Sequence, residues 1–377
     1  MTAPQSDAGR ARLLLAAGGF GLAALVAVAV LLVVGLERNR PADEIVAGAG
    51  AAPAPHRSVA LSTDVPREQL FSPASFWNER LAASTPLDPS STALVASLVA
   101  EVQRETQARI GPWIASTNSS TPLYRVGHDQ PRVRVQLDAG GAPGEAALRR
   151  AFAAVPIPRD AKPAPGQDRH LTVWQPSTDR LWEFWQARRA PDGWHARWGG
   201  AIRNVSKSPG YYTASAWPGS RRTWGATATS LPVIGGTITI DEIRRGSIRH
   251  ALALALPAPR AGSFAWPAQR TDGTGDAAAL PEGARLRLDP RLDVRGLHLP
   301  RLVAMLAEAA QRYGIVVRDQ THKGISLFAE DPRAGQSSPY ARLFAEQSPL
   351  DLLAKFPWDR LQVLRMHLCT KAPCRAG

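Results

Sequence analysis

Residues 168–203 read DRHLTVWQPSTDRLWEFWQARRAPDGWHARWGGAIR. Three runs rich in aromatic, aliphatic and β-branched residues, His170–Gln175, Leu181–Arg188 and Trp194–Arg203, are separated by the turn-forming stretches PSTDR and RAPDG. Such runs between turn residues predict an antiparallel meander. A first turn centred on Thr178 and Asp179 sets Trp174 opposite Glu183 and Thr172 opposite Trp185. Side chains alternate along a strand, so His170, Thr172, Trp174, Glu183 and Trp185 share one face, and Leu171, Val173, Trp182 and Phe184 share the other. The second face is apolar and reads as core. The first mixes rings with a carboxylate and an imidazole, which suits a sugar polymer: its C–H surfaces pack on aromatic rings while its hydroxyls need polar partners. Cross-strand tryptophan pairs also stabilise sheets without any ligand, so both readings of that face stand at this point.

Further alternating strands are predicted at Pro131–Asp138, Ile248–Pro257 and Ala284–Asp289, with helices over Pro89–Arg109 and Leu299–Gly314 and a hairpin turning at Thr321–Gly324. No regular strand–helix–strand alternation is visible, which disfavours a parallel sheet. The expected fold is therefore mainly β: an antiparallel sandwich or jelly-roll-like domain with a few peripheral helices.

Leu13–Leu36 is a 24-residue stretch without a charge, long enough to span a bilayer. It predicts a short cytoplasmic tail (1–12), an uncleaved transmembrane anchor (13–36), an Ala/Pro-rich tether (37–67), an extracytoplasmic domain (70–360) and a C-terminal tail (361–377). The chain has only two cysteines, Cys369 and Cys374, which suit a small disulfide loop in an oxidising compartment. The net charge is +13, carried almost wholly by scattered arginines. No basic run or nucleic-acid motif accompanies it, which argues against nucleic acid as a partner. The nucleophile elbow, the zinc-protease motif and the P-loop are absent as well. No metal-ligand spacing or cofactor fingerprint is visible.

The candidate chemistry is spread over several segments. Asp168, two residues before His170, can orient the imidazole. Asp241 and Glu242 either cap a short helix or act as carboxyls in catalysis. His250 lies on the leucine face of its strand, and Arg270 and Asp272 occupy a loop. Phe76–Asn78, Asp168–His170, Glu183–Trp185, Gly225–Pro232, Asp241–Leu252 and Tyr313–Asp319 together resemble a group of secreted or membrane-anchored bacterial proteins with no described activity. That resemblance covers roughly residues 70 to 330 and implies a shared exported domain, without a reaction type. It concentrates attention on Asp168, His170, Glu183, Asp241, Glu242 and His250.

Two functions follow from these residues. One is a glycoside hydrolase or polysaccharide lyase acting outside the membrane on a cell-wall glycan or other polysaccharide. Its catalytic candidates are Glu183, Asp168, His170, Asp241 and Glu242, and its substrate-binding candidates are Trp174, Trp185, Arg270 and His250. The other is a non-catalytic glycan-binding or scaffold module of the cell envelope that uses the same aromatic face.

Overall fold

The computed structural model describes residues 69–138 and 140–375. The expected cytoplasmic tail, anchor and tether lie outside the described residues. No helix among the described residues is long and apolar enough to cross a membrane. Helix makes up 22% and strand 23% of the structure, so the fold is mixed α/β rather than mainly β.

Four sheets are present among the described residues, none of them closed. The largest has six strands in the order β1 (Trp113–Ala115), β13 (Ser326–Phe328), β9 (Leu252–Leu256), β12 (Ile315–Gln320), β11 (Arg285–Leu288) and β15 (Leu361–Val363). The second has five, in the order β14 (Glu330–Asp331), β2 (Thr121–Arg125), β4 (Leu171–Gln175), β5 (Arg180–Trp185) and β8 (Trp198–Arg203). β3 (Val135–Leu137), β7 (Gly193–Ala196) and β6 (Arg188–Ala190) form a third, and β10 (Phe264–Ala265) pairs with β16 (Leu368–Cys369). The sequence LALAL of β9 explains how the layers stack. Its leucines enter a core with helices α1 (Ser91–Ala108) and α4 (Arg301–Arg312), while Ala253 and Ala255 join the core of the five-stranded sheet, which α2 (Glu145–Ala151) also enters. Small residues on that side let the two large sheets approach and share one core.

The expected antiparallel arrangement holds for the β4–β5–β8 meander but not for the sheets as wholes. β9 and β12 run parallel, as do β2 and β4, β1 and β13, β14 and β2, and β3 and β7. The chain returns to β12 through α4, and a helix packed on the sheet is what allows two strands to point the same way. The expected hairpin after β12 does not form either. β12 already has β9 and β11 on its two edges, so β13 crosses to the far side of β9 and pairs with it there. The stretch expected as a tail also belongs to the fold, because β15 is an edge strand of the six-stranded sheet. Cys369 and Cys374 form the expected disulfide, with Cys374 fully buried and its N–H donated to the Gln269 side chain at 3.0 Å.

Within the meander, Thr172 lies opposite Glu183 and Trp174 opposite Leu181, two residues away from the expected register. The turn is a 3-10 turn over Pro176–Thr178 with Asp179 in the left-handed region. An even slip preserves parity, so the predicted division into faces survives the change in pairing. The loop after β8 lies flat on the strand. A Cβ at Gly200, opposite Glu183, would meet the Tyr212 hydroxyl at 2.0 Å, which is why the strand reads WGG at this point.

Candidate functional site

The structure divides the expected site residues between the two ends of the sheets. Asp168, His170 and Trp185 lie at the start of β4 and the end of β5. Trp174 lies four residues up β4, about 13 Å away by strand rise. There it lines a small pocket of about 90 Å³ together with Glu242 and His250. No single site contains all of them.

The mixed face of the meander is not open. Glu183 and Thr172 are fully buried, and Trp174 and His170 nearly so. The segment Gly225–Gly236 covers them. Glu183 accepts from Ala226 N at 2.8 Å through Oε1 and from Val233 N at 2.7 Å through Oε2. Burial raises its pKa to about 7, while those two backbone N–H groups and the Tyr212 hydroxyl pull the other way. Both oxygens are committed to backbone, so Glu183 positions the cover and does not face solvent as expected. His170 Nε2 contacts Ala226 O at 3.0 Å, and burial lowers the basicity of the ring. Arg270, expected to bind substrate, holds the same cover. It donates to the carbonyls of Ala228 (2.9 Å), Thr227 (2.8 Å) and Gly225 (3.3 Å).

A β-bulge at the end of β12 provides the chemistry beside this cover. The register with β9 slips between Val317 and Asp319, so Arg318 and Asp319 both reach the 225–235 segment. Arg318 is fully buried. It donates to the carbonyls of Val233 and Gly235 and stacks 3.9 Å from the centre of the Phe328 ring. Burial lowers its pKa only to about 10, so it remains cationic at neutral pH. Asp319 accepts from Ala228 N at 3.3 Å. One carboxylate oxygen from each of Asp272, Glu282 and Asp319 lies within 4.8 Å of the other two. The group runs inward from exposed Asp272 through half-buried Asp319 to fully buried Glu282.

Groups this close can share protons or a single hard cation. Burial pushes Asp319 up to about 7, with Asp272 and Asp168 adding repulsion against the attraction of Arg318. Burial likewise pushes Glu282 up to about 9, with Asp319 adding to it. Glu282 Oε1 has no hydrogen-bond partner. Asp168 lies outside the 4.8 Å group yet interacts electrostatically with both Asp272 and Asp319. It accepts from Trp185 Nε1 at 3.1 Å. This cluster lies at the C-terminal end of the parallel pair β9 and β12, the end where sites on parallel strands are usually built.

At the other end, Glu242 and His250 form a closed structural pair. Glu242 completes a capping box with Thr239 at the start of α3 (Ile240–Arg245) and accepts from Thr239 N at 3.0 Å. His250 Nε2 lies 3.0 Å from its Oε2. Asp241 is exposed and lies 3.5 Å from Arg125 and 3.4 Å from Arg244. Burial alone would raise Glu242, but the charge and hydrogen bond of His250 hold it down at about 2, below its ordinary 4.5. Burial lowers His250, and the attraction of Glu242 more than reverses this, so its pKa lies above the ordinary 6.5.

The sign of each contribution to stability follows from linkage. Glu242 stabilises the fold above about pH 4.5, and this is lost as pH falls toward 2. His250 stabilises it below about pH 6.5, and this is lost as pH rises through its raised pKa. We expect the pair to contribute most between about pH 4.5 and 6.5, on the order of 2–3 kcal/mol. Tm measured against pH should peak in that window, and Glu242→Gln should flatten the peak. An unchanged profile in the variant would refute the pairing.

Asp319 and Asp272 are visible in the sequence as a strand-end residue and a loop residue, and nothing there joins them to Glu282. Only the bulge and the close return of the 270–284 loop bring the three together, so no spacing rule finds them. No protein family, curated protein or solved structure matches the chain.

Proposed function

We propose that the chain is an extracytoplasmic enzyme that cleaves glycosidic bonds in a polysaccharide, with its reaction site at the Asp168–Asp272–Asp319 cluster. The observation that carries this reading is the convergence of four carboxyl groups from three separate segments beside the half-exposed Trp185. Glycoside hydrolysis needs one carboxyl to protonate the leaving oxygen and another, across the bond, to activate water or to attack. Asp272, Glu282 and Asp319 bring one oxygen each within 4.8 Å of the other two, a little closer than carboxyls that straddle a sugar linkage, so this reading places them on one side. Asp168 acts from the other, with the Trp185 ring as the platform for a sugar face. Within this reading Asp319 is the proton donor and Glu183 fixes the cover that holds Asp319 through Ala228. The two large sheets sharing one core support a sandwich-like frame for the site, and the disulfide is in keeping with an oxidising compartment.

Hydrolysis is favoured over elimination because carboxyls dominate the site, while burial lowers the basicity of His170 and His250 is paired with Glu242. The full-length protein in detergent, incubated with cell-wall glycans and with neutral and uronate polysaccharides, should release new reducing ends. An unsaturated, ultraviolet-absorbing product would move the reading to a lyase. Binding without any new ends would leave a glycan-binding module and sink the enzyme.

A further inference from the structure

A groove of about 340 Å³ is lined by Arg169, Arg188, Arg197, Gln167, Gln186 and Asp138. Arg197 lies over the ring of Trp185, whose Nε1 donates to Asp168, so the groove is joined to Asp168 through Trp185. We infer that this groove is a subsite for the carboxylate of a uronic acid, and hence that the polysaccharide acted on is acidic. The inference rests on the glycan-cleaving reading above and narrows its substrate class.

Three guanidinium groups face one carboxylate in the groove. That carboxylate, Asp138, is already engaged by Arg188 at 3.0 Å and by His195 Nδ1 at 2.8 Å. Arg169 and Arg197 form no ion pair among the described residues. Arg197 instead lies over the Trp185 ring, 5.9 Å from its centre. An uncompensated pair of arginines is suited to a planar anion, because each guanidinium presents a fork of donors that matches two carboxylate oxygens. The Gln167 and Gln186 amides add neutral donors and acceptors of the kind that sugar hydroxyls require. Trp185 touches both regions, with Arg197 over its ring and its Nε1 donating to Asp168 at 3.1 Å.

The backbone is shaped for this purpose. Arg169 and Gln186 both adopt left-handed φ values, +44° and +52°, which are strained for a residue with a side chain. The two are locked together, with Gln186 N donating to Asp168 O at 2.6 Å and Ala187 N to Arg169 O at 3.1 Å. Glycine would remove the strain at either position, but it would also remove a groove-lining side chain. A phosphate-bearing polymer would satisfy the charge as well. The single ring platform and the amide pair favour a sugar carboxylate over a stack of bases.

The test measures binding, so it is separate from turnover. Oligogalacturonate and its methyl ester share a backbone and differ only in charge. By calorimetry with the full-length protein, the acid should bind and the ester should bind at least about tenfold more weakly. Arg169→Gln and Arg197→Gln should each weaken binding of the acid about tenfold or more, as expected for loss of a charge-assisted hydrogen bond. Arg189→Gln, outside the groove, should leave it unchanged. Equal binding of acid and ester, arginine variants that bind like the parent, or tighter binding of single-stranded DNA than of the uronate would each overturn the subsite. Uronate binding that depends on both arginines, without cleavage of any polysaccharide, would uphold the subsite and sink the enzyme. Cleavage of a neutral glycan by the arginine variants at the parental rate would do the reverse.

Discussion

Trp182→Ala is expected to lower the stability of the domain by about 3–5 kcal/mol, while Trp185→Ala, three residues on, should cost far less and act on glycan binding instead. The two rings alternate faces of β5. Trp182 is 1% exposed and fixed by a hydrogen bond from Nε1 to Ala151 O at 3.1 Å, with Trp217 packed 5.9 Å away. Removing it leaves a cavity in the core under the five-stranded sheet, beside the helix that ends at Ala151, and an orphaned carbonyl, which adds about 1 kcal/mol. A fall in Tm of roughly 6–10 °C follows for a domain of this size. Trp185 is only partly buried, and its main partners, Asp168 and Arg197, belong to the proposed site. Melting curves of both variants, with pull-down on an insoluble acidic polysaccharide, check the contrast. A collapse of Trp185→Ala with a stable Trp182→Ala would mean that the ring assigned to the ligand is the one in the core.

That contrast could be read from the sequence, because it depends only on the parity of a strand. The pairing differs from the expected one by two residues, and the division into faces is unaffected. The helices at 91–108 and 301–312 and the LALAL strand were legible for the same reason: each carries a periodic apolar pattern. What periodicity cannot encode is what lies on top of a face. The ring of Trp174 and the carboxylate of Glu183 fit an open ligand face and a closed sheet equally well, and only the structure shows the Gly225–Gly236 segment closing over them, with Glu183 binding two of its N–H groups. A carboxylate that bonds two buried backbone donors and one that bonds a sugar are written with the same letter. Parallel pairing was also hidden, because it depends on where the chain returns through α4 and not on any local run. The carboxylate cluster depends on that return and on a bulge, so Asp319 read alone could only be taken for a turn residue.

Asp319→Asn should abolish most turnover and leave the fold intact, whereas Glu183→Gln should do damage of a different kind. With its pKa pushed up to about 7, Asp319 is largely protonated below neutrality, the state a general acid requires. Loss of that proton donor costs about 10²–10⁴-fold in rate. Asparagine matches the neutral carboxyl in shape and retains an oxygen to accept from Ala228 N, so Tm should move by little. In the parent, activity should fall as pH rises through about 7, because the proton then leaves Asp319. The residual activity of the variant should lack that limb. Glu183→Gln replaces one acceptor with an NH2 group aimed at a backbone N–H, either Ala226 or Val233. Two donors then face each other in a buried site, at a cost of about 1–3 kcal/mol. Its signature is a lower Tm and faster amide exchange across 225–235, with any loss of rate following from the loosened cover. Steady-state kinetics against pH, paired with melting curves, separate the two variants. A stable Glu183→Gln with no turnover, beside an active Asp319→Asn, would move the catalytic acid from the bulge back to the meander.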